Sequence, residues 1–159
     1  MRIVRVPNNQ KRAYRDLLLL ADEQWSMVER YLDAGEMWAV VIDDAVVAEC
    51  VVAEAETHVG DDVGGSLRTV EIMNLAVDSS WQGQGIGRAL VEHVRRTYAG
   101  RFSRLRVCTG DSPLTVPFYQ RCGFAIVGRV PNYFTEHYDH PIYEAGKLLT
   151  DLVVLEMDL

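Results

Sequence analysis

Three glycines at alternate positions, in Gln82-Gly83-Gln84-Gly85-Ile86-Gly87-Arg88, separate an apolar segment from an amphipathic one. Glycine has no side chain to shield the backbone, so a run of N–H groups lies open where a helix begins. The first helical amides lack intrahelical acceptors, and the helix dipole is positive there, so such a turn suits a phosphate. The segment before it breaks its own pattern. Val70 and Ile72 share one parity, whereas Leu75 and Val77 share the other. Strand side chains alternate between faces, so a slip of one predicts a β-bulge near Met73–Asn74. A bulge bends a strand and can splay it from its neighbour, which leaves unpaired backbone for an extended ligand.

The elements that must hold these groups can be read along the chain. Arg2–Val6 reads as a strand. Residues 12–34 read as two short helices broken near Asp22 and stopped at Gly35, with Leu17–Leu20 as core. Met37–Asp43 and Ala45–Glu54 flank Asp43-Asp44 as a hairpin. A polar loop is expected over 57–66, then the bulged strand Leu67–Asp78. Gly85–Tyr98 is a helix, because Ile86, Leu90, Val94 and Tyr98 fall on one stripe. Arg104–Thr109 alternates as a strand. Thr115 can cap a short helix carrying Pro117 in its first turn and stopped by Gly123. Phe124–Val130 and Asp151–Asp158 are strands, and residues 131–147 read as irregular and aromatic. An antiparallel meander followed by β–α–β–α–β–β predicts an α/β fold with a mixed sheet.

Two segments resemble the GNAT (Gcn5-related) N-acetyltransferases. Gln82, Gly85 and Gly87 match that family's Gln/Arg-x-x-Gly-x-Gly/Ala signature. Pro117-Phe-Tyr-Gln-Arg-Cys-Gly-Phe124 resembles its aromatic-Tyr-x-x-x-Gly-Phe element. The resemblance implies a GNAT-like fold, with a mixed and mostly antiparallel central sheet splayed at the bulge and flanked by helices. It implies one acetyltransferase domain over residues 1–159. Acetyl-CoA would be the co-substrate, with its acetyl group passed to a primary amine by direct attack in a ternary complex. By that resemblance, Leu75, Ala76 and Val77 pair with pantetheine as an added strand would. The amides of Gln82, Gly83, Gln84, Gly85, Ile86, Gly87 and Arg88 hold the pyrophosphate. The Val77 amide donates to the thioester oxygen. Tyr119 protonates the leaving thiolate, and Glu71 is the base that deprotonates the amine. The family commonly has Asn where Asp111 stands, so Ser112 is expected to replace its pantetheine contact. A homodimer is also in keeping with the family.

The residues themselves leave other readings open. Glu71 also suits a cross-strand ion pair with Arg104 or Arg106, and Tyr119 suits packing. A CoA-binding regulatory module without catalysis would need the same turn. A dinucleotide-binding oxidoreductase would use Gly83-x-Gly85 and Asp111, but Arg88 occupies its third glycine position and the upstream meander lacks a βαβ unit. His137 and His140, near Glu136 and Asp139, read as loop residues, and no metal is expected.

Composition bounds these readings. The chain has 159 residues, 48% of them apolar and 25% charged, with a formal net charge of −7. That charge argues against a nucleic-acid partner. No apolar run reaches the roughly 18 residues of a membrane span. The start, Met1-Arg-Ile-Val-Arg-Val-Pro7, has no signal-peptide core. Cys50, Cys108 and Cys122 are odd in number and apolar in context, so reduced thiols and a cytoplasmic location are expected. The acceptor is expected to be a small-molecule amine, with a peptide amine as the alternative. Tyr133, Phe134, Tyr138 and Tyr143 are candidates to wall its pocket.

Overall fold

Arg2–Val6 (β1), Glu36–Ile42 (β2) and Ala45–Glu54 (β3) form the expected antiparallel meander. Its hairpin turns on Asp43 and Asp44, both at positive φ. That backbone matches the twist of paired strands, and the short polar Asp tolerates it. The computed structural model describes residues 1–55 and 68–159. The loop expected over 57–66, with His58, lies outside the described residues.

Thr69–Val77 (β4) pairs antiparallel with β3 and parallel with Arg104–Gly110 (β5). Ala125–Val130 (β6) does not follow β5 in space. Leu152–Asp158 enters between them, giving a seven-stranded sheet in which the final strand, β9, is flanked by β5 and β6.

Helices cover both faces. Ile86–Tyr98 (α3) buries Ile86, Leu90, Val91, Val94 and Tyr98 in the larger core, together with Ile72, Leu105, Val107, Val153 and Leu155. The opposite face carries Arg15–Ala21 (α1) and Trp25–Leu32 (α2), which break at Asp22 as expected and pack through Leu18, Val28 and Leu32. Among the described residues, no helix is long and apolar enough to cross a membrane.

Residues 131–147 are more ordered than their sequence suggests. They hold the one-turn helix Tyr133–His137 (α5) and the strand Tyr143–Glu144 (β7), which pairs with Lys147–Leu148 (β8). One turn is too short to show a period, and Ala145 and Gly146 reverse the chain at positive φ.

Two charged residues lie inside the packing. Lys11 is 1% exposed, and its ammonium donates to the carbonyls of Leu32 and Gly35, closing the end of α2. Glu49, on β3 opposite Ala76, is fully buried, and neither oxygen has a hydrogen-bond partner among the described residues. Burial pushes its carboxyl from the usual 4.5 up to about 8.

The folded state therefore holds this proton more tightly than the unfolded chain does. The contribution to stability is full below the unfolded value and is lost as pH rises through about 8. Stability is expected to fall between roughly pH 5 and 8 by up to about 1.4 kcal/mol per pH unit. Glu49→Gln should flatten that slope in urea unfolding followed at several pH values. An equal slope in both proteins would assign the effect to other groups.

Candidate active site

The bulge falls where the parity slip places it. Val51 stands opposite Asn74 and Val52 opposite Ile72, so Met73 is the extra residue. Ile72 joins the α3-side core and Leu75 and Val77 pack against it, while Met73 packs on the α1 side. Asn74 fastens the bulge. Its amide donates to the Leu18 carbonyl at 3.0 Å and to the Tyr31 hydroxyl at 2.9 Å. Tyr31 in turn reaches Asp22, which also accepts from the Tyr138 hydroxyl at 2.7 Å.

Past the bulge the sheet opens. β4 and β5 pair only from Thr69 and Arg104 to Ile72 and Val107. Beyond that point β4 stays with β3, and β5 stays with β9. Between the parted strands lies a cavity of ≈ 180 Å³. Leu75, Ala76, Val77, Gln82 and Tyr119 all line it, together with Leu20, Ala21, Cys108, Thr109, Thr115 and Glu144. A larger hollow along β6 and β9 shares no residue with it.

The glycine turn sits at one end of this opening. Gly83 and Gly85 have φ of 76° and 81°, and a Cβ on either would meet nothing within 4 Å. Both are needed for conformation, and both leave the backbone open. Gly87 is needed for space, because a Cβ there would lie 3.1 Å from the Phe118 ring. Gln84 and Arg88 are exposed, whereas the Ile86 side chain belongs to the core. Gln82 folds back, and its amide donates to the Val77 carbonyl at 3.0 Å, which ties the turn to the end of β4.

Tyr119 comes from Val116–Arg121 (α4), a helix held from both sides. Phe118 fits beneath Gly87. The Tyr119 ring meets Phe118 and Phe124 edge-on at 5.0 and 5.6 Å. Thr115 does not cap α4 with its side chain; its hydroxyl accepts from Thr109 at 2.9 Å, which ties α4 to β5. Tyr119 is 6% exposed, and burial pushes its phenol well above the ordinary value.

The remaining expected residues stand further back. Ser112 is buried, and its hydroxyl accepts from the Leu114 amide within its own turn. Asp111 pairs with Arg129 at 2.8 Å and Lys147 at 3.5 Å. Glu71 is opposite Arg106 in the β4–β5 register and accepts a hydrogen bond from the Cys108 thiol. Burial and this carboxylate push that thiol up. Glu71 is thus one residue behind the cavity wall, with Cys108 in front. His137 stacks on Tyr133 at 4.3 Å, while His140 pairs with Asp139 and Glu23. No group of three or more metal-ligating side chains occurs among the described residues. The three cysteines are free thiols.

Sequence reasoning passed over Glu144 altogether, because it lies in the segment read as irregular. It also passed over Asn74 as the bulge's anchor. A polar residue inside an apolar strand was the available signal for that one.

This combination defines an acetyltransferase architecture, and the comparisons agree. The model of the acetyltransferase (GNAT) domain matches residues 33–126. The chain belongs to the GNAT family of acetyltransferases. It is 33% identical over 146 residues to the uncharacterized N-acetyltransferase YvbK of Bacillus subtilis, covering 91% of this chain and 88% of that protein. Among solved structures it resembles an IAA acetyltransferase from Bacillus cereus, with a TM-score of 0.86, 34% identity and 99% of each chain covered. It also resembles a GNAT acetyltransferase from Elizabethkingia anophelis with acetyl-CoA bound, with a TM-score of 0.86, 30% identity, and 99% and 97% covered. A Bacillus subtilis acetyltransferase in complex with CoA gives a TM-score of 0.83 at 31% identity, with 99% and 98% covered.

Proposed function

We propose that this chain, acting as one catalytic domain over residues 1–159, moves the acetyl group of acetyl-CoA directly to a small primary amine while both are bound. The observation that carries the reading is the cavity between parted β4 and β5, walled by Val77, Gln82 and Tyr119 beside the glycine turn. The acetyl-CoA and CoA bound in the two neighbours from Elizabethkingia anophelis and Bacillus subtilis support the co-substrate.

Acetyl-CoA lies with its pyrophosphate on the open amides of residues 82–88. Its pantetheine runs along Leu75, Ala76 and Val77, where β5 has parted from β4 and left that side of its backbone without a strand neighbour. Ser112 shapes the loop beyond β5. The Val77 amide donates to the thioester oxygen as negative charge develops there. The amine nitrogen attacks the carbonyl carbon, the C–S bond breaks, and Tyr119 gives its proton to the sulfur. Desolvation weakens this acid, but it also raises the basicity of a thiolate released in the same cavity. Glu71, behind Cys108, takes the amine's proton through water. The cavity's modest size favours a small acceptor over a long peptide.

Amine-dependent release of CoA thiol tests the reading, with the parent and Glu71→Gln assayed together. The parent should release thiol only when an amine is supplied. Protonation of Glu71 should slow it at low pH, and Glu71→Gln should lose that acidic limb and about 10²–10⁴ in rate. A profile identical to the parent would return Glu71 to a purely structural pairing. Thiol release indifferent to amines would sink the transfer itself.

A further inference from the structure

Among the described residues, Glu144 is the one charged residue in the cavity wall. No Lys, Arg or His lines the cavity beside it among the described residues. Its Oε2 atom is buried without a hydrogen-bond partner among those residues. The hairpin aims it there: successive strand residues point to opposite sides, so Tyr143 is exposed while Glu144 turns inward. The turn through Ala145 and Gly146, both at positive φ, holds this short hairpin in shape. Lys147, its cross-strand partner, reaches Asp111 at 3.5 Å. Removing an ionised carboxylate oxygen from water without a partner is costly. A cation entering the cavity would offset that cost.

We infer that Glu144 receives the acceptor's ammonium group and selects cationic primary amines over neutral ones, an assignment that rests on the transfer reaction proposed above. A primary ammonium has three N–H donors. One proton leaves through water to Glu71, which frees the lone pair to attack the carbonyl carbon. A second N–H keeps its hydrogen bond to Glu144, so the nitrogen stays oriented. As the C–N bond forms and the C–S bond breaks, Tyr119 gives its proton to the sulfur and is reprotonated by the nitrogen's surplus proton. The products are a neutral amide and CoA thiol, and the proton held by Glu71 passes to solvent. The amide carries no charge for Glu144 to hold, which favours its release. Tyr119 also feels the Glu144 charge, which helps keep its phenol protonated.

The test compares the parent with Glu144→Gln, using acetyl-CoA and two acceptors: an alkylamine, protonated at neutral pH, and an aromatic amine, unprotonated there. A lost charge-assisted hydrogen bond should raise the KM for the alkylamine about 10–10²-fold. The KM values for acetyl-CoA and for the aromatic amine should stay within about twofold of the parent. Glu144→Asp, which keeps the charge, should retain the preference for the alkylamine and serves if Glu144→Gln folds poorly. An unchanged KM for the alkylamine, or an equal rise for both amines, overturns the assignment while leaving the transfer reaction standing. A parent that binds acetyl-CoA but releases no thiol with any amine overturns the transfer reading and this assignment with it.

Discussion

Gly85→Val is expected to abolish acetyl-CoA binding while the chain stays folded. The position has φ of 81° and open space around it. A Cβ there therefore meets no neighbour, but a valine side chain covers the amides proposed to hold the pyrophosphate. It also forces a β-branched residue into left-handed backbone, which costs roughly 1–2 kcal/mol. For a chain of this size that lowers the thermal midpoint by only a few degrees, about 2–4 °C per kcal/mol. Calorimetric titration should show affinity reduced by at least about 10²-fold, since several phosphate contacts are lost at once. The same change at Gly87 reports on something else. There a Cβ would press on Phe118 and approach Val77, so the α3–α4 contact shifts along with the turn. Unchanged affinity in Gly85→Val would remove the phosphate from this turn.

Tyr119→Phe is expected to lower kcat and kcat/KM together by about 10–10³. The substitution keeps the ring and its edge-on contacts with Phe118 and Phe124, so the wall of the cavity survives and only the proton donor is lost. The KM for acetyl-CoA should barely move. The deficit should shrink for an acyl donor whose leaving thiol is more acidic, because that thiolate needs a proton less. A variant with full kcat would make Tyr119 a packing residue and leave the thiolate to depart unassisted.

The parts of this site that were legible in the sequence are those set by local chemistry. The parity slip at Met73–Asn74 located the bulge, because it is written in neighbouring residues. The glycine spacing located the helix start, and Gly123 located the end of α4. The break at Asp22 was visible for the same reason. What was not legible depends on long-range placement. Glu49 sits among valines and alanines and reads as one residue of a strand, yet its partner Ala76 fixes it in a fully buried position. Gln82 matches a signature, but the sequence does not say that its side chain returns to the Val77 carbonyl. Thr115 has the type of a helix cap and instead accepts from Thr109 across the loop. Glu144 shows its value only once a two-residue strand turns it into a cavity formed by β4, β5 and α4. Such short strands carry no pattern, and this hairpin is closed from outside the strands themselves, where the Leu149 amide donates to the Ile142 carbonyl at 2.9 Å.

The position of β9 between β5 and β6 has a consequence for the chain as it is made. Synthesis delivers segments from the N-terminus onward. β6 therefore leaves the ribosome before the strand it joins, since among the described residues its one neighbour in the sheet is β9. Until β9 arrives, the outer edge of β5 is open as well, although Cys108 and Thr109 of that edge strand line the cavity. Pairing with Val154 and Val153 completes that wall. A nascent chain that has exposed its glycine turn, Tyr119 and Glu144 still holds an unfinished chamber. The cavity beside Tyr119 is thus complete only when the last of these strands threads between two that have waited for it.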